Sequence, residues 1–219
     1  MKEDIKEILR HILTMIIIDN FIQDESLLQE IRDELNNGGD FWGSYGEYKW
    51  YDGWWDKEPE TLRERLISYI WRDNCPINFD LDVKGFEHWT GIQSAEDETK
   101  EDHLKQHFDK DEDLWHITGE IVTPVIGTVY YPIEHDIDGG ELMIWDTYEV
   151  NYDAPYELVR PIPNRLVIFD AGRLHRVNQV TRGTRYAVAI NLWDKKPLTI
   201  DNIESGIGSF FEQQANGLI

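Results

Sequence analysis

The chain has 219 residues, 41% of them hydrophobic, which is enough apolar mass for one domain with a real core, short for two, and too much for wholesale disorder. Lysine and arginine number 21 against 43 acids, a formal net charge of −22. Such a surface repels phosphate backbones and disfavours a general nucleic-acid-binding role, whereas a basic protein partner suits it.

The single Cys75 excludes an intramolecular disulfide and favours a reducing cytoplasm. The opening "MKEDIKEILRH" mixes acids with bases and does not read as a secretion signal. The apolar run 12–18 is far shorter than the roughly 20 residues a spanning helix needs, so no membrane role is expected. Ile5, Ile8, Leu9 and Ile12 fall at helical spacing, and "TMIIIDNF" then reads as a strand rich in β-branched residues. Asp24 is placed to cap a helix over "ESLLQEIRDELNN", with Leu27, Leu28, Ile31 and Leu35 on one stripe and Gly38 and Gly39 as its stop. Pro59 is expected to open a second helix that buries Leu62, Leu66, Ile70 and Trp71. Between the two lies "DFWGSYGEYKWYDGWWDKE", carrying Phe41, Trp42, Tyr45, Tyr48, Trp50, Trp54 and Trp55. Its rings either cover the core from an irregular loop, the ordinary fate of large aromatics, or form a wall or lid for a substrate.

From Lys84 the texture changes to short strands: "FEHWTGIQ", "HLKQHFD", "IGTVYYPI", "GELMIWD", "YELVRPI", "RLVIFDA", "LHRVNQV" and "RYAVAINLW". Breaks such as "DIDGG", "PIPN", "DAGR" and "TRGT" fall between them. The expected fold is mainly β with flanking N-terminal helices, an antiparallel sandwich or jelly roll. Residues 1–83 form a helical and aromatic portion packed on a core of residues 84–200, within one domain overall. Residues 201–219 form a tail that is either a short helix or loose.

Seven histidines offer several trails. His103 and His107 have the spacing that puts two zinc ligands on one helix face, but Leu104 stands where a zinc hydrolase needs its catalytic glutamate. On a strand, His107 and Asp109 point to one side and Phe108 to the other. One imidazole and one carboxylate from the same strand are two-thirds of the 2-His-1-carboxylate set that binds non-haem Fe(II) with open positions. His175, opening the strand after "RLVIFDAGR", supplies a distant third ligand. Arg185 begins the last strand, where Arg185, Ala187, Ala189 and Asn191 share a face whose small residues leave room for a ligand. An arginine at the floor of such a pocket calls for an anion, and its planar fork best fits a carboxylate.

These elements resemble the 2-oxoglutarate- and Fe(II)-dependent dioxygenases, specifically the prolyl 4-hydroxylase-like branch, over about residues 16–193. "IIIDNFIQDESLLQEIRDEL" is similar to the segment that precedes the family's core. "HFD", "TVYYPIEHDIDGGEL" and "LVIFDAGRLHRVNQVTRGTRYAVAINLW" are similar to its ligand-bearing, tyrosine-bearing and distal-histidine segments. The resemblance implies a double-stranded β-helix in which His107, Asp109 and His175 hold Fe(II). It also implies that Arg185 and Tyr131 bind the distal carboxylate of 2-oxoglutarate, Tyr130 packing on the opposite face. Further implications are O2 as cosubstrate, ascorbate as reductant, and hydroxylation of a C–H bond with succinate and CO2 as co-products. Halogenating relatives have a small residue at the carboxylate ligand, so Asp109 favours hydroxylation. A prolyl residue of a peptide or protein, which the acidic net charge would suit to a basic polypeptide, is the leading substrate class, with free amino acids, other small molecules and a non-catalytic binding module as alternatives. Two departures bear on the pocket. The family's tyrosine before the metal segment has no clear equivalent, Trp89 and Thr90 standing near its place, and Pro132 means that the tyrosine strand either ends early or lies at a sheet edge. The stretches 41–55 and 94–102 are candidate walls for a substrate.

Overall fold

The computed structural model describes residues 15–37, 40–43, 47–52, 57–77, 82–96 and 105–209. A ten-residue strand, β11 (Thr184–Trp193), organises the rest. It pairs along its whole length with β3 (Gly85–Ser94), from Thr184 opposite Ser94 to Trp193 opposite Gly85. On its other side lies β4 (Ile126–Tyr131), then β8 (Arg165–Phe169) and β1 (Met15–Ile18). With β2 (Lys49–Asp52) outside β3, the major sheet runs β1-β8-β4-β11-β3-β2. A minor sheet has β6 (Leu142–Trp145) between β7 (Tyr156–Val159) and β9 (His175–Val177). β5 (Asp138–Gly139) and β10 (Val180–Arg182) form a short ribbon. All pairings are antiparallel, and the fold is the expected jelly roll.

Alternation along the strands makes two cores. Val129, Tyr131, Val167, Phe169 and Ala187 of the major sheet face Leu142, Ile144, Val159 and Val177 across the sandwich. The intervening residues Ile126, Tyr130, Leu166, Ile168, Val188 and Ile190 point the other way and are covered by helices. The first of these, α1 (Glu25–Asn37), starts where Asp24 Oδ1 accepts the backbone N–H groups of Ser26 and Leu27 at 3.0 and 3.2 Å. It buries Leu27, Leu28 and Ile31, each side chain contributing on the order of 1.5–3 kcal/mol.

The second helix, α2 (Leu62–Ser68), begins later than Pro59 suggested. Thr61 caps it and Glu64 reaches back to the Thr61 N–H, a complete capping box, after which the chain relaxes into a π-helical turn, Tyr69–Asp73. Two short helices follow the core's inner segments: α3 (Glu112–Thr118) and α4 (Leu198–Glu204). Asp111 ties them together, accepting from the N–H of Leu114 at 3.2 Å, of Leu198 at 2.6 Å and of Thr199 at 3.1 Å. Asn164, in the left-handed region at φ 57°, anchors the N-terminal segment. Its side-chain oxygen accepts from Ile22 N at 2.9 Å and Tyr130 Oη at 2.8 Å, and its amide donates to Ile22 O at 2.9 Å.

Three expectations need correction. The described part of "HLKQHFD", residues 105–109, is not a strand: within it only His107 makes an isolated bridge, to His175. The expected break "DIDGG" contains β5, in which Gly139, at φ 80°, pairs with Val180, and Gly140, at φ 74°, follows it. The aromatic stretch is not wholly loop, because "KWYD" pairs as β2 and buries Tyr51 against Phe86. Phe41 is also buried, while Tyr48 is exposed and packs edge-on against Trp89 at 5.2 Å. The expected first helix, Gly38, Gly39, Tyr45, Trp54, Trp55, His103, residues 97–102 and residues 210–219 lie outside the described residues. Among the described residues no helix is long and apolar enough to cross a membrane.

Candidate metal centre

The bridge between His107 and His175 brings two distant segments together. His107 N donates to His175 O at 2.9 Å and His175 N to His107 O at 3.0 Å, and Asp109 N is held by Ala171 O at 3.1 Å. Three backbone bonds therefore do what a longer ladder would have done. Phe108 still points away, packing near Met143, Trp145 and Leu174. His107 Nε2 lies 3.4 Å and His175 Nε2 3.6 Å from Asp109 Oδ1, and the ligand atoms of all three residues fall within 4.8 Å of one another.

Both imidazoles are oriented from behind. Their Nδ1 atoms lie 2.7 Å from Lys105 O and 2.8 Å from Arg173 O. A carbonyl can only accept, so each Nδ1 carries the proton and each Nε2 presents its lone pair to the same point. Two neutral imidazole nitrogens and one carboxylate, all on one side of a cavity, fit a divalent metal that needs open positions, non-haem Fe(II) being the characteristic case. Burial acts to raise the Asp109 carboxyl, but without a metal, protons on His175 and His107 that face it outweigh burial and hold Asp109 well below the usual carboxylate range, a place a bound cation would take. The loop behind His175 is fixed by Arg173 Nε on Trp145 O at 3.0 Å, and by Asp170, which accepts from Gly172 N at 2.9 Å and Tyr148 Oη at 2.7 Å.

A cavity opens beside these donors, about 690 Å³ of space when its open mouth is included. Ala187, Ala189 and Asn191 line it from β11, as their alternation predicted. Arg185 closes one end, 3% exposed. Its Nε donates to Gly140 O at 3.0 Å, Nη1 to Gln93 Oε1 at 2.8 Å and Nη2 to Tyr131 Oη at 3.3 Å. Among the described residues no carboxylate pairs with it. Tyr131 lies on the cavity side of β4 beneath the guanidinium, at 5.1 Å from ring to charge, and Tyr130 lies on the helix side, as the alternation required.

Two residues escaped the sequence reading. Gln93 is buried directly opposite Arg185 in the β3–β11 register, while Trp89 and Thr90 line the same cavity. Glu87 is buried opposite Asn191. Polar residues occur on both faces of "GFEHWTGIQS", so alternation alone gave no inward face. Burial pushes the Glu87 carboxyl up to about 8, the Asp109 charge adds to the shift, and hydrogen bonds from Trp193 and Asn191 oppose it. The folded protein thus keeps a proton that the unfolded chain has lost above the ordinary carboxylate range. Stability should fall as pH rises through that window, by at most about 1.4 kcal/mol per pH unit from this group, and level off above about 8. Glu87→Gln cannot ionise and should flatten the slope of unfolding free energy against pH measured by urea titration. An unchanged slope would place the proton elsewhere.

Residues 93–193 match the model of the 2OG-Fe(II) oxygenase superfamily. Curated relatives include PKHD-type hydroxylases: PiuC of Pseudomonas aeruginosa is 40% identical over 65 residues, and one from Hyphomonas neptunium 43% identical over 65. Each alignment covers 30% of this chain and 26% of the relative, so the chain spans about a quarter of the length of the curated relatives it matches. The crystal structure of a Pseudomonas putida prolyl-4-hydroxylase superposes with a TM-score of 0.55 at 16% identity, covering 87% of this chain and 100% of that one. A Burkholderia pseudomallei oxidoreductase of the 2OG-Fe(II) oxygenase family gives 0.54 at 10% identity, covering 89% and 91%. At these identities the structural likeness is one of fold.

Proposed function

We propose that the protein is an Fe(II)- and 2-oxoglutarate-dependent dioxygenase that hydroxylates a C–H bond of a prolyl residue in a peptide or protein. The observation that carries this reading is Arg185, a buried guanidinium whose hydrogen-bond partners among the described residues are all neutral, at the end of a cavity whose side holds two imidazoles and a carboxylate. A buried positive charge without an anion is costly. Among the described residues three of its five N–H groups are engaged, and one on each of Nη1 and Nη2 is left for a carboxylate.

His107 Nε2, His175 Nε2 and Asp109 Oδ1 would hold the metal from one side. Arg185 and the Tyr131 hydroxyl would take the distal carboxylate of 2-oxoglutarate, and Gln93 would keep the guanidinium in plane. The side chains of Ala187 and Ala189 are short enough to leave the cosubstrate its volume. Bound Fe(II) supplies the redox chemistry with O2, and ascorbate would keep it reduced. The balance is one O2 and one 2-oxoglutarate consumed per C–H bond, one oxygen atom entering the new hydroxyl, the other entering succinate, and CO2 leaving. The hydroxylase names of the curated relatives, the prolyl-4-hydroxylase fold and the −22 net charge support a polypeptide substrate, a basic one in particular.

The test is a screen of proline-containing peptides and proteins with Fe(II), ascorbate and 2-oxoglutarate, read by mass gain of one oxygen atom at proline together with succinate release. Succinate release stimulated by a non-prolyl small molecule alone would overturn the substrate assignment, and absence of any 2-oxoglutarate binding or turnover would overturn the activity.

A further inference from the structure

The two oxygens of Asp109 have different neighbours. Oδ1 faces both imidazole Nε2 atoms, whereas Oδ2 accepts a hydrogen bond from Asn191 Nδ2 at 3.1 Å. The same amide nitrogen lies 3.4 Å from Glu87 Oε2, which also accepts from the Trp193 indole N–H at 3.1 Å. Asn191 and Trp193 share a face of β11, and Glu87 is the register partner of Asn191 on β3. Asn191 is 2% exposed and Trp193 1%, so water does not compete for these bonds. The amide nitrogen thus has both its hydrogens directed, one to a rigid anchor in the sheet and one to the outer oxygen of Asp109.

A carboxylate beside a divalent cation can bind through one oxygen or both, and in the second mode it takes a position that an exogenous ligand would otherwise use. We propose that Asn191, anchored by Glu87 and Trp193, is a positioning residue that reserves Oδ2 of Asp109 and so holds this side chain to ligation through Oδ1 alone. The inference rests on the metal-centre reading above. It gives a physical reason for a polar pair, Glu87 and Asn191, buried in a sheet whose adjoining cavity positions on β11 are alanine. Partners of this outer kind are typically worth about 10–100-fold in metal affinity.

Co(II) is the probe, because its visible absorption reports coordination number without turnover. The full-length protein is titrated with Co(II) alone, and folding of every variant is checked by thermal melting without metal. Asn191→Ala should bind Co(II) at least about 10-fold more weakly and with an altered visible spectrum. Glu87→Ala should move both in the same direction. Glu87→Gln, whose amide oxygen still accepts from Asn191 and Trp193, should restore the parental affinity and spectrum. A folded Asn191→Ala protein with unchanged affinity and spectrum overturns the inference, and if that variant does not fold, an unchanged Glu87→Ala protein does so. Failure of the parent protein to bind Co(II) overturns the metal-centre reading itself, a separate result.

Discussion

Asp109→Ala should leave a folded protein that forms no succinate above background with Fe(II) and 2-oxoglutarate. The variant keeps the two imidazoles but loses the only charged donor among the three, and with it the negative charge that compensates a divalent cation in a buried setting. The loss of metal affinity should exceed the roughly 10–100-fold typical of an outer partner such as Asn191, because a direct ligand is removed. The fold itself should persist, since the segment is held by backbone bonds from His107 and Asp109 to His175 and Ala171, which the substitution leaves in place. Metal titration together with succinate release checks the result. A variant that retains metal-dependent turnover near the parental rate would remove His107, Asp109 and His175 from the proposed centre.

The second large effect concerns Arg185. Arg185→Met should raise the KM for 2-oxoglutarate by about 30- to several-thousand-fold, as expected from the 2–5 kcal/mol of one partner lost from a buried charge pair. Turnover at saturating cosubstrate should fall much less, because the guanidinium lies at the far end of the cavity from the metal donors. Arg185→Lys keeps the charge but loses the fork that simultaneously engages Gly140, Gln93 and Tyr131, and should fall between the two. Steady-state kinetics over a wide range of 2-oxoglutarate concentration separates KM from kcat. A KM unchanged in Arg185→Met would move the cosubstrate's carboxylate to another part of the molecule.

Most of the β framework could be read from local pattern, because a strand with two differently occupied faces states its period in the sequence. The separation of Tyr130 from Tyr131, and the shared face of Arg185, Ala187, Ala189 and Asn191, are of this kind. So is the cap at Asp24. Where reading failed, the cause was non-local. The "HFD" segment is not a strand, yet its two donors converge, because single bonds to His175 and Ala171 replace a ladder that periodicity would have required. β2 hides in an aromatic stretch whose pairing with β3 depends on a neighbour more than 30 residues away. Gln93 and Glu87 carry no local mark at all. Their placement beside Arg185 and Asn191 follows only from the register of two long strands. The helix start at Thr61 was legible through its T-x-x-E pattern, and the proline before it drew attention to the wrong residue.

The β3–β11 ladder also bears on how the chain reaches this state. The pairs that complete the cavity, Gln93 with Arg185 and Glu87 with Asn191, join residues 92 and 104 positions apart. Closing loops of that length is entropically expensive and delays folding. The donors at 107, 109 and 175 likewise come together only through a non-local closure, the bridge of His107 to His175. Co(II) absorbance followed during refolding should therefore appear only once the bridge between His107 and His175 has closed.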